Sequence, residues 1–245
     1  MLEKEIRLGR HLVKAPAVCG AVAAPSVGEM RKLVEKALAD GADIVELRID
    51  FLKKFDGWET LIDPNVPMIL TVRPKKEGGN FSGGDAKRMG FFLEGITRGV
   101  SAVDIEFRAS RELREKVVEK ARGAGTSVIL SFHDFSGRLS PERLLKIVKE
   151  MDGADGDILK VVTMAKGWRE TKNALEFLVR TEAELKKPLI TFAMGKAGIL
   201  TRFLGPILGV PIVYAAVAKK TAPGQLGVKE TKDLLIQLRP KEVKD

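Results

Sequence analysis

The chain has 245 residues, of which 44% are hydrophobic and 31% are charged. This length and composition suit one globular α/β domain and exclude a low-complexity, disordered chain. The formal net charge of +9 is compatible with an anionic ligand. We do not expect a nucleic acid partner, because only 6% of the residues are aromatic and the basic residues are interleaved with glutamates.

The sequence offers little that would target it to a membrane. Residues 1–15 hold no apolar run of the kind found in signal peptides, and we expect them to form an extension before the first strand. The longest uncharged stretch, 203–218, contains two prolines and is shorter than the roughly 20 residues of a spanning helix. We therefore expect a cytoplasmic protein without membrane contact. The one cysteine, Cys19, lies in an apolar run and is expected to be a buried thiol.

Short apolar runs rich in β-branched residues recur along the whole chain. Nearly continuous apolar character is typical of strands that are covered on both faces. Eight strands are predicted, at 17–23, 43–49, 67–72, 102–107, 127–132, 158–164, 189–194 and 211–217.

Amphipathic helical patterns separate most of these runs. The apolar stripe of 29–40 stops at Gly41, and Ser140 followed by Pro141 is a typical helix start. Further helices are predicted around 57–62 and at 111–121, 141–151, 168–186 and 228–238. Alternating strands and helices over this length predict an α/β fold, a single-domain (β/α)8 TIM barrel spanning 1–245. The alternative is an open doubly wound sheet, but the first strand lacks the glycine-rich phosphate turn of that fold.

Catalytic side chains of such barrels lie at the C-terminal ends of the strands. Lys160 stands within an apolar strand, where an unpaired ammonium is costly to bury, so it is a candidate nucleophile for a ketone. An outward-facing lysine, or one paired with Asp104 or Glu106, is the alternative. His133 follows an apolar strand and is a candidate general acid and base, with a hydrogen-bonded core histidine as the alternative.

Three arginines follow different strands and are candidates for binding an anion. Arg48, Arg73 and Arg202 would form a carboxylate or phosphate site if they converge, and ordinary salt bridges if they do not. The glycine pairs at 78–79 and 83–84 indicate either a mobile flap over 74–84 or a flexible turn without a role. One cysteine and two histidines make a Cys/His zinc site improbable.

Taken together, these motifs resemble those of the type I 3-dehydroquinate dehydratases, the Schiff-base-forming enzymes of the shikimate pathway. The matching segments follow the order of that family and span most of the chain. They are 46–50, 71–73 with 77–79, 131–135, Lys160 with Met164, 194–198 with 201–202, and 222–225.

The resemblance implies dehydration of 3-dehydroquinate to 3-dehydroshikimate, the third step of that pathway. It implies that Lys160 forms the Schiff base, that His133 transfers protons and that Glu77 orients His133. The implied substrate-binding residues are Glu46, Arg48, Arg73, Arg202, Thr221 and Gln225. We expect no cofactor and no metal, a small-molecule substrate, and a homodimer. The apolar segment 203–213 could contribute a dimer contact, or it could equally be the last helix and strand of the core.

The sequence also departs from the family pattern. Threonines at 201 and 221 stand where the family often has serine, and Asp134 replaces a common asparagine after the histidine. The added negative charge of Asp134 is expected to raise the pKa of His133. The alternative function is that of another Schiff-base barrel lyase resembling class I aldolases, which would cleave a carbon–carbon bond with the same lysine.

Overall fold

The computed structural model describes residues 5–181, 184–218 and 224–238. Within these ranges the chain forms a two-stranded hairpin and an eight-stranded, nearly closed parallel barrel. The strands are β1 (Glu5–Leu8), β2 (His11–Lys14), β3 (Ala17–Val22), β4 (Ile44–Arg48), β5 (Met68–Thr71), β6 (Ala102–Glu106), β7 (Ser127–His133), β8 (Ile158–Met164), β9 (Leu189–Met194) and β10 (Ile212–Ala216). Parallel ladders join β10 to β3 and then each strand to the next as far as β9. The predicted barrel and its strands are confirmed.

Helices cover the outside of the barrel. They are α1 (Val27–Ala39), α2 (Asp85–Thr97), α3 (Arg111–Ala124), α4 (Pro141–Asp152), α5 (Trp168–Thr181), α6 (Ile199–Ile207) and α7 (Val228–Leu238). Serine side chains accept hydrogen bonds at the starts of α1, α3 and α4, including the predicted cap Ser140. The short helix predicted near 57–62 is a 3₁₀ turn, Trp58–Leu61. None of the helices in the described ranges is long and apolar enough to cross a bilayer.

Two helices, α2 and α6, were not predicted. Both contain glycine, and α6 also contains Pro206, so neither has the composition of a strong helix former. Gly95 of α2 serves packing rather than helix propensity, because a Cβ there would lie 2.3 Å from the Leu70 side chain. Glycine at this position therefore lets α2 approach β5 more closely than a residue with a side chain would allow.

Successive residues of the barrel strands face two different cores. Outward residues such as Leu47, Leu70 and Leu159 pack beneath the helices. The inward residues form an apolar layer near the N-terminal ends of the strands, built from Ile44, Ile69, Ala102, Ile129 and Ile158. Two positions further along each of these strands, the inward residues are polar: Glu46, Thr71, Asp104, Ser131 and Lys160. The alternation thus places a polar layer directly above an apolar floor.

The hairpin of β1 and β2 closes the N-terminal end of the barrel. Ile6, Leu8 and Val13 belong to the same buried cluster as the apolar floor, whereas Glu5 and Arg7, which alternate with Ile6 and Leu8 along β1, are exposed. The sequence predicted an extension here but not these strands, because each shows its alternation over only four residues. Cys19 is buried in the same cluster, as predicted.

We predict that Leu8→Ala lowers the free energy of unfolding by about 2–5 kcal/mol, because the cavity it leaves lies under a rigid barrel. Leu12→Ala on the same hairpin is the matched control: Leu12 is 55% exposed, and its change is expected to stay within about 0.5 kcal/mol. Urea unfolding followed by circular dichroism measures both. Equal losses for the two variants would mean that the hairpin does not serve as the floor of the core.

Candidate active site

A cavity of about 70 Å³ opens at the C-terminal ends of the barrel strands. Most of the predicted site residues line it, and they do so together with several that were not predicted. The lining residues are Glu46, Arg48, Arg73, Glu77, Gly78, His133, Phe135, Lys160, Val162, Phe192, Met194, Tyr214 and Gln225. Arg202 adjoins this wall, with its guanidinium 4.1 Å from the centroid of the Phe192 ring. The predicted Thr221 lies outside the described residues.

Lys160 projects from β8 into the barrel and is only 5% exposed. Its Nζ donates a hydrogen bond of 2.8 Å to Oδ2 of Asp104 and lies 3.8 Å from Oε1 of Glu46. It also lies 4.0 Å from the centroid of the Tyr214 ring. The outward-facing alternative is therefore wrong, and the pairing with Asp104 is present. The amine is held from several sides at the bottom of the cavity.

Asp104 is the partner that makes this burial tolerable. Its carboxylate also accepts hydrogen bonds of 2.6 Å from Ser131 Oγ and from Arg73 Nη2. Burial alone would raise the pKa of Asp104, but Arg73 and Lys160 more than offset this and lower it. The carboxylate consequently stays charged next to the lysine.

Arg73 connects this carboxylate to a second buried anion. Its Nη1 donates to Oε1 of Glu106 at 2.6 Å and to Ser131 Oγ at 2.8 Å. Glu106 is held in turn by Arg88, which is fully buried on α2 and donates through Nε to the carbonyl of Val72 at 3.0 Å. Arg88 was not among the predicted site residues, because no helix was predicted around it. Both terminal nitrogens of Arg73 are thus engaged by protein groups.

His133 ends β7, and its imidazole lies beside a second carboxyl group. Nδ1 is 3.4 Å from Oε2 of Glu77, and neither atom has a hydrogen-bond partner within the described residues. Burial, Arg73 and Lys160 lower the pKa of His133 well below its ordinary value of 6.5. Burial raises the pKa of Glu77. The imidazole is therefore neutral at neutral pH and able to accept a proton.

The expected effect of Asp134 on this histidine is wrong. The Asp134 carboxylate turns away into the following loop, where Oδ1 accepts hydrogen bonds from the backbone and the hydroxyl of Ser136 at 2.9 and 2.6 Å. Burial and the cations inside the barrel act in the opposite direction on His133 and lower its pKa.

The loop over 74–84 has a defined local structure that positions Glu77. Lys75–Glu77 forms a 3₁₀ turn, and Gly78 follows it in the left-handed region with φ of +77°. A Cβ at Gly78 would lie 2.2 Å from Cζ of Phe135, so only glycine allows this approach. Phe135 also stacks on His133, with the ring planes 14° apart and the centroids 6.1 Å apart. The loop therefore contacts the histidine through Phe135, and its mobility stays a prediction.

Arg202, on α6, is a buried cation without a carboxylate partner among the described residues. Its Nη1 donates to the carbonyl of Tyr214 at 3.4 Å, whereas Nε and Nη2 are buried and have no hydrogen-bond partner there. Burial lowers its pKa to about 10. An anion entering the cavity would satisfy these donors and stabilise the charge.

The remaining predicted residues have well-defined partners. Arg48 forms a two-point ion pair with Asp50, with N–O distances of 2.9 and 2.8 Å. Glu46 accepts a hydrogen bond of 2.8 Å from Thr71 Oγ1. The hydroxyl of Thr201 accepts from the backbone of residue 193 at 2.8 Å and donates to that of residue 198 at 2.6 Å. Thr201 therefore anchors the start of α6, next to Arg202.

The arrangement suits carbonyl chemistry on a small anion. A buried amine is available for addition, a neutral imidazole for proton transfer, and an arginine with uncommitted donors for a carboxylate. The described residues contain no group of three or more His, Cys, Asp or Glu side chains that could hold a metal ion.

Comparison with known proteins identifies similar sequences and folds. A model of the type I 3-dehydroquinase family matches residues 18–241. The 3-dehydroquinate dehydratase of Methanosarcina acetivorans is 35% identical over 216 residues, covering 84% of this chain and 89% of that protein. That of Methanocaldococcus jannaschii is 35% identical over 221 residues, covering 89% and 96%. The crystal structure of 3-dehydroquinate dehydratase from Geobacillus kaustophilus HTA426 has a TM-score of 0.87 at 23% identity and covers 96% of both chains.

We predict that the His133 imidazole titrates below pH 6.5 in the free protein, because burial and two nearby cations disfavour its protonation. NMR titration of the imidazole protons measures this directly. Since the chain has two histidines, a His11→Gln variant leaves one signal to follow. A midpoint above 6.5 would contradict the electrostatic environment described for this side chain.

Proposed function

The chain belongs to the type I 3-dehydroquinase family and has the hydro-lyase activity of that family, and we propose that it acts through a Schiff base on Lys160. The reaction converts 3-dehydroquinate to 3-dehydroshikimate, the third step of the shikimate pathway. One observation carries the proposal: a buried lysine amine and an imidazole of lowered pKa line the same cavity.

The first step joins the substrate to the enzyme. The Lys160 nitrogen adds to the carbon of the ring ketone after losing a proton, and the neutral imidazole of His133 is suited to accept it. The ketone oxygen then leaves as water, with protons supplied by the imidazolium and by the amine. The nitrogen ends as a protonated imine, an iminium, that carries one N–H and a positive charge.

The second step removes water from the ring. The iminium withdraws electrons and makes the neighbouring C–H acidic, and His133 takes that proton to leave an enamine. The imidazolium returns the proton to the leaving hydroxyl, which departs as water while the ring double bond forms. Water then adds to the remaining iminium, releases the product ketone and restores the amine. One imidazole serves both directions because it changes protonation state between the steps.

Glu77 is proposed to orient this imidazole. Its Oε2 lies 3.4 Å from Nδ1 of His133, which is within reach of a hydrogen bond once the site tightens around substrate. A bond there would leave Nε2 as the atom that exchanges protons with the substrate.

We assign substrate binding as follows. Arg202 binds the carboxylate, because its buried Nε and Nη2 have no partner within the described residues. Gln225 lines the cavity, and Thr221 keeps a substrate-binding role as a prediction from the sequence. Glu46 and Arg48 line the wall where ring hydroxyls would lie. Arg73 is assigned to holding Asp104 in place, since both of its terminal nitrogens are engaged by protein groups.

An aldolase-like lyase would share the lysine but differ in the substrate. Retro-aldol activity on sugar phosphates without dehydration of 3-dehydroquinate would favour it. Family membership and the buried Nε and Nη2 of Arg202, which have no partner within the described residues, favour a carboxylate substrate instead.

The homodimer and the cytoplasmic location also stay predictions. Leu204 and Ile207, on α6, are exposed and belong to the apolar segment 203–213 that the sequence singled out. These side chains support the expected contact between two copies of the chain.

We predict that sodium borohydride, added during turnover of 3-dehydroquinate, reduces the iminium to a stable amine and attaches the ring to Lys160. Peptide mass spectrometry identifies the modified residue. Lys160→Met is expected to abolish the adduct, whereas Lys36→Met, which changes a lysine on the surface of α1, is the matched control.

His133→Ala separates the steps of this reaction. We expect it to retain some adduct while kcat falls by roughly 100-fold or more, the usual contribution of a general acid or base. If the natural protein turned over 3-dehydroquinate in the presence of borohydride and Lys160 stayed unmodified, the imine mechanism would be overturned.

We predict that Arg202→Ala raises KM by roughly 10- to 100-fold with a smaller change in kcat, because a charge-assisted contact to the carboxylate is lost. Steady-state absorbance of the conjugated product measures both constants. Arg180→Ala, which breaks surface ion pairs only, is the control. An unchanged KM in Arg202→Ala would rule out this residue as the carboxylate ligand.

A further inference from the structure

Tyr214 is the only tyrosine of the chain, and it lies directly against Lys160. It projects inward from β10 and is buried, with its ring centroid 4.0 Å from Nζ. Its hydroxyl has no hydrogen-bond partner within the described residues, although buried tyrosines usually find one. The polar contact of this side chain is therefore made by the face of its ring, with Nζ of Lys160.

A second ring continues this wall. Phe192 lies 6.2 Å from Tyr214 between centroids, and its own face supports the Arg202 guanidinium at 4.1 Å. Arg202 also donates to the Tyr214 carbonyl at 3.4 Å. Two neighbouring aromatic faces thus carry the two cations that are assigned to the substrate, one for its ketone and one for its carboxylate.

We propose that the aromatic face of Tyr214 is a further catalytic group, which stabilises the positive charge on the Lys160 nitrogen after it has become an iminium. The inference rests on the Schiff-base mechanism proposed above. This proposal gives a role on the covalent intermediate to a residue that was not among the predicted site residues.

The ammonium and the iminium forms of Lys160 differ in their number of N–H donors. The ammonium of Lys160 has three, and one of them is used by Asp104. The iminium carries the same charge with a single N–H, so hydrogen bonds alone compensate it less well. Attraction to the ring face needs no N–H, and it grows when water is excluded. Asp104 can accept the one N–H that remains, and the ring face then attracts the positive charge without requiring a second N–H.

The tyrosine acts as a neutral ring. Burial, Glu46 and Cys19 raise the pKa of Tyr214 well above its ordinary value. The phenol therefore keeps its proton in the working range of pH, and the negative face of the ring provides the attraction.

Because the chain has one tyrosine, biosynthetic replacement of tyrosine by fluorotyrosines changes this ring alone. Fluorine withdraws electrons from the ring face at nearly constant shape. We expect the fraction of Lys160 trapped by borohydride, at fixed 3-dehydroquinate, to fall stepwise with the number of fluorines, together with kcat. Phenolate absorbance verifies that the ring stays protonated at the assay pH, and a pH profile of kcat separates its ionisation from its electron density.

Two substitutions give an independent comparison. Tyr214→Phe keeps the face and Tyr214→Leu removes it, and we expect at least roughly 10-fold less adduct in the leucine variant than in the phenylalanine variant. Phe177→Leu is the control for loss of core packing, because Phe177 belongs to α5 and is fully buried in the core between the helices and the barrel. It is expected to lower the melting temperature without changing the trapped fraction.

The outcomes are distinct. Equal adduct in Tyr214→Phe and Tyr214→Leu, or no dependence on fluorination while the natural protein is trapped, overturns the role of the ring and leaves the Schiff base standing. Product formation without any adduct on Lys160 in the natural protein overturns both proposals.

Discussion

Burying one amine inside a barrel governs the rest of this structure. An unpaired ammonium would be too costly there, so Lys160 is accompanied by Asp104, and Asp104 by Arg73. The chain of alternating charges continues through Glu106 to Arg88 on α2. Removing one residue from this series of ion pairs leaves its neighbour buried and unpaired, which costs more stability than the absence of both partners. The buried amine of Lys160 is thus connected by ion pairs from the barrel centre out to α2.

Strand register sets the relation between amine and imidazole. Lys160 on β8 pairs with Ser131 on β7, whereas His133 pairs with Val162. His133 is therefore one inward position nearer the mouth than Lys160, a rise of roughly 7 Å along the strand direction. In the proposed mechanism, a small ring attached to the amine would extend toward the mouth past the imidazole, which places the acidic C–H and the leaving hydroxyl on the side of His133.

The strands and the main site residues could be predicted from the sequence because their signals are local. Apolar runs identify β-strands that are covered on both faces, and a lysine or histidine within or after such a run stands out. The partners of these residues could not be predicted, because barrel closure brings them together. Tyr214 and Lys160 are in contact but lie far apart in the chain. Arg88 belongs to α2, and the glycines of this helix weaken its sequence signal. The lowered pKa of His133 could not be predicted either, because the burial and the nearby Arg73 and Lys160 that cause it depend on closure of the barrel.

Within the described part of the chain, the hairpin of β1 and β2 closes the barrel at the end opposite the opening of the cavity. Ile6, Leu8 and Val13 seal the end opposite the mouth with apolar side chains, so a water molecule has no polar route downward. In the proposed mechanism, the substrate, the water molecules it releases and the water that frees the product would therefore all pass through the opening at the C-terminal ends of the strands. A ring attached to Lys160, as proposed, would occupy part of that opening, so the shape of the cavity would limit the order in which water and product enter and leave.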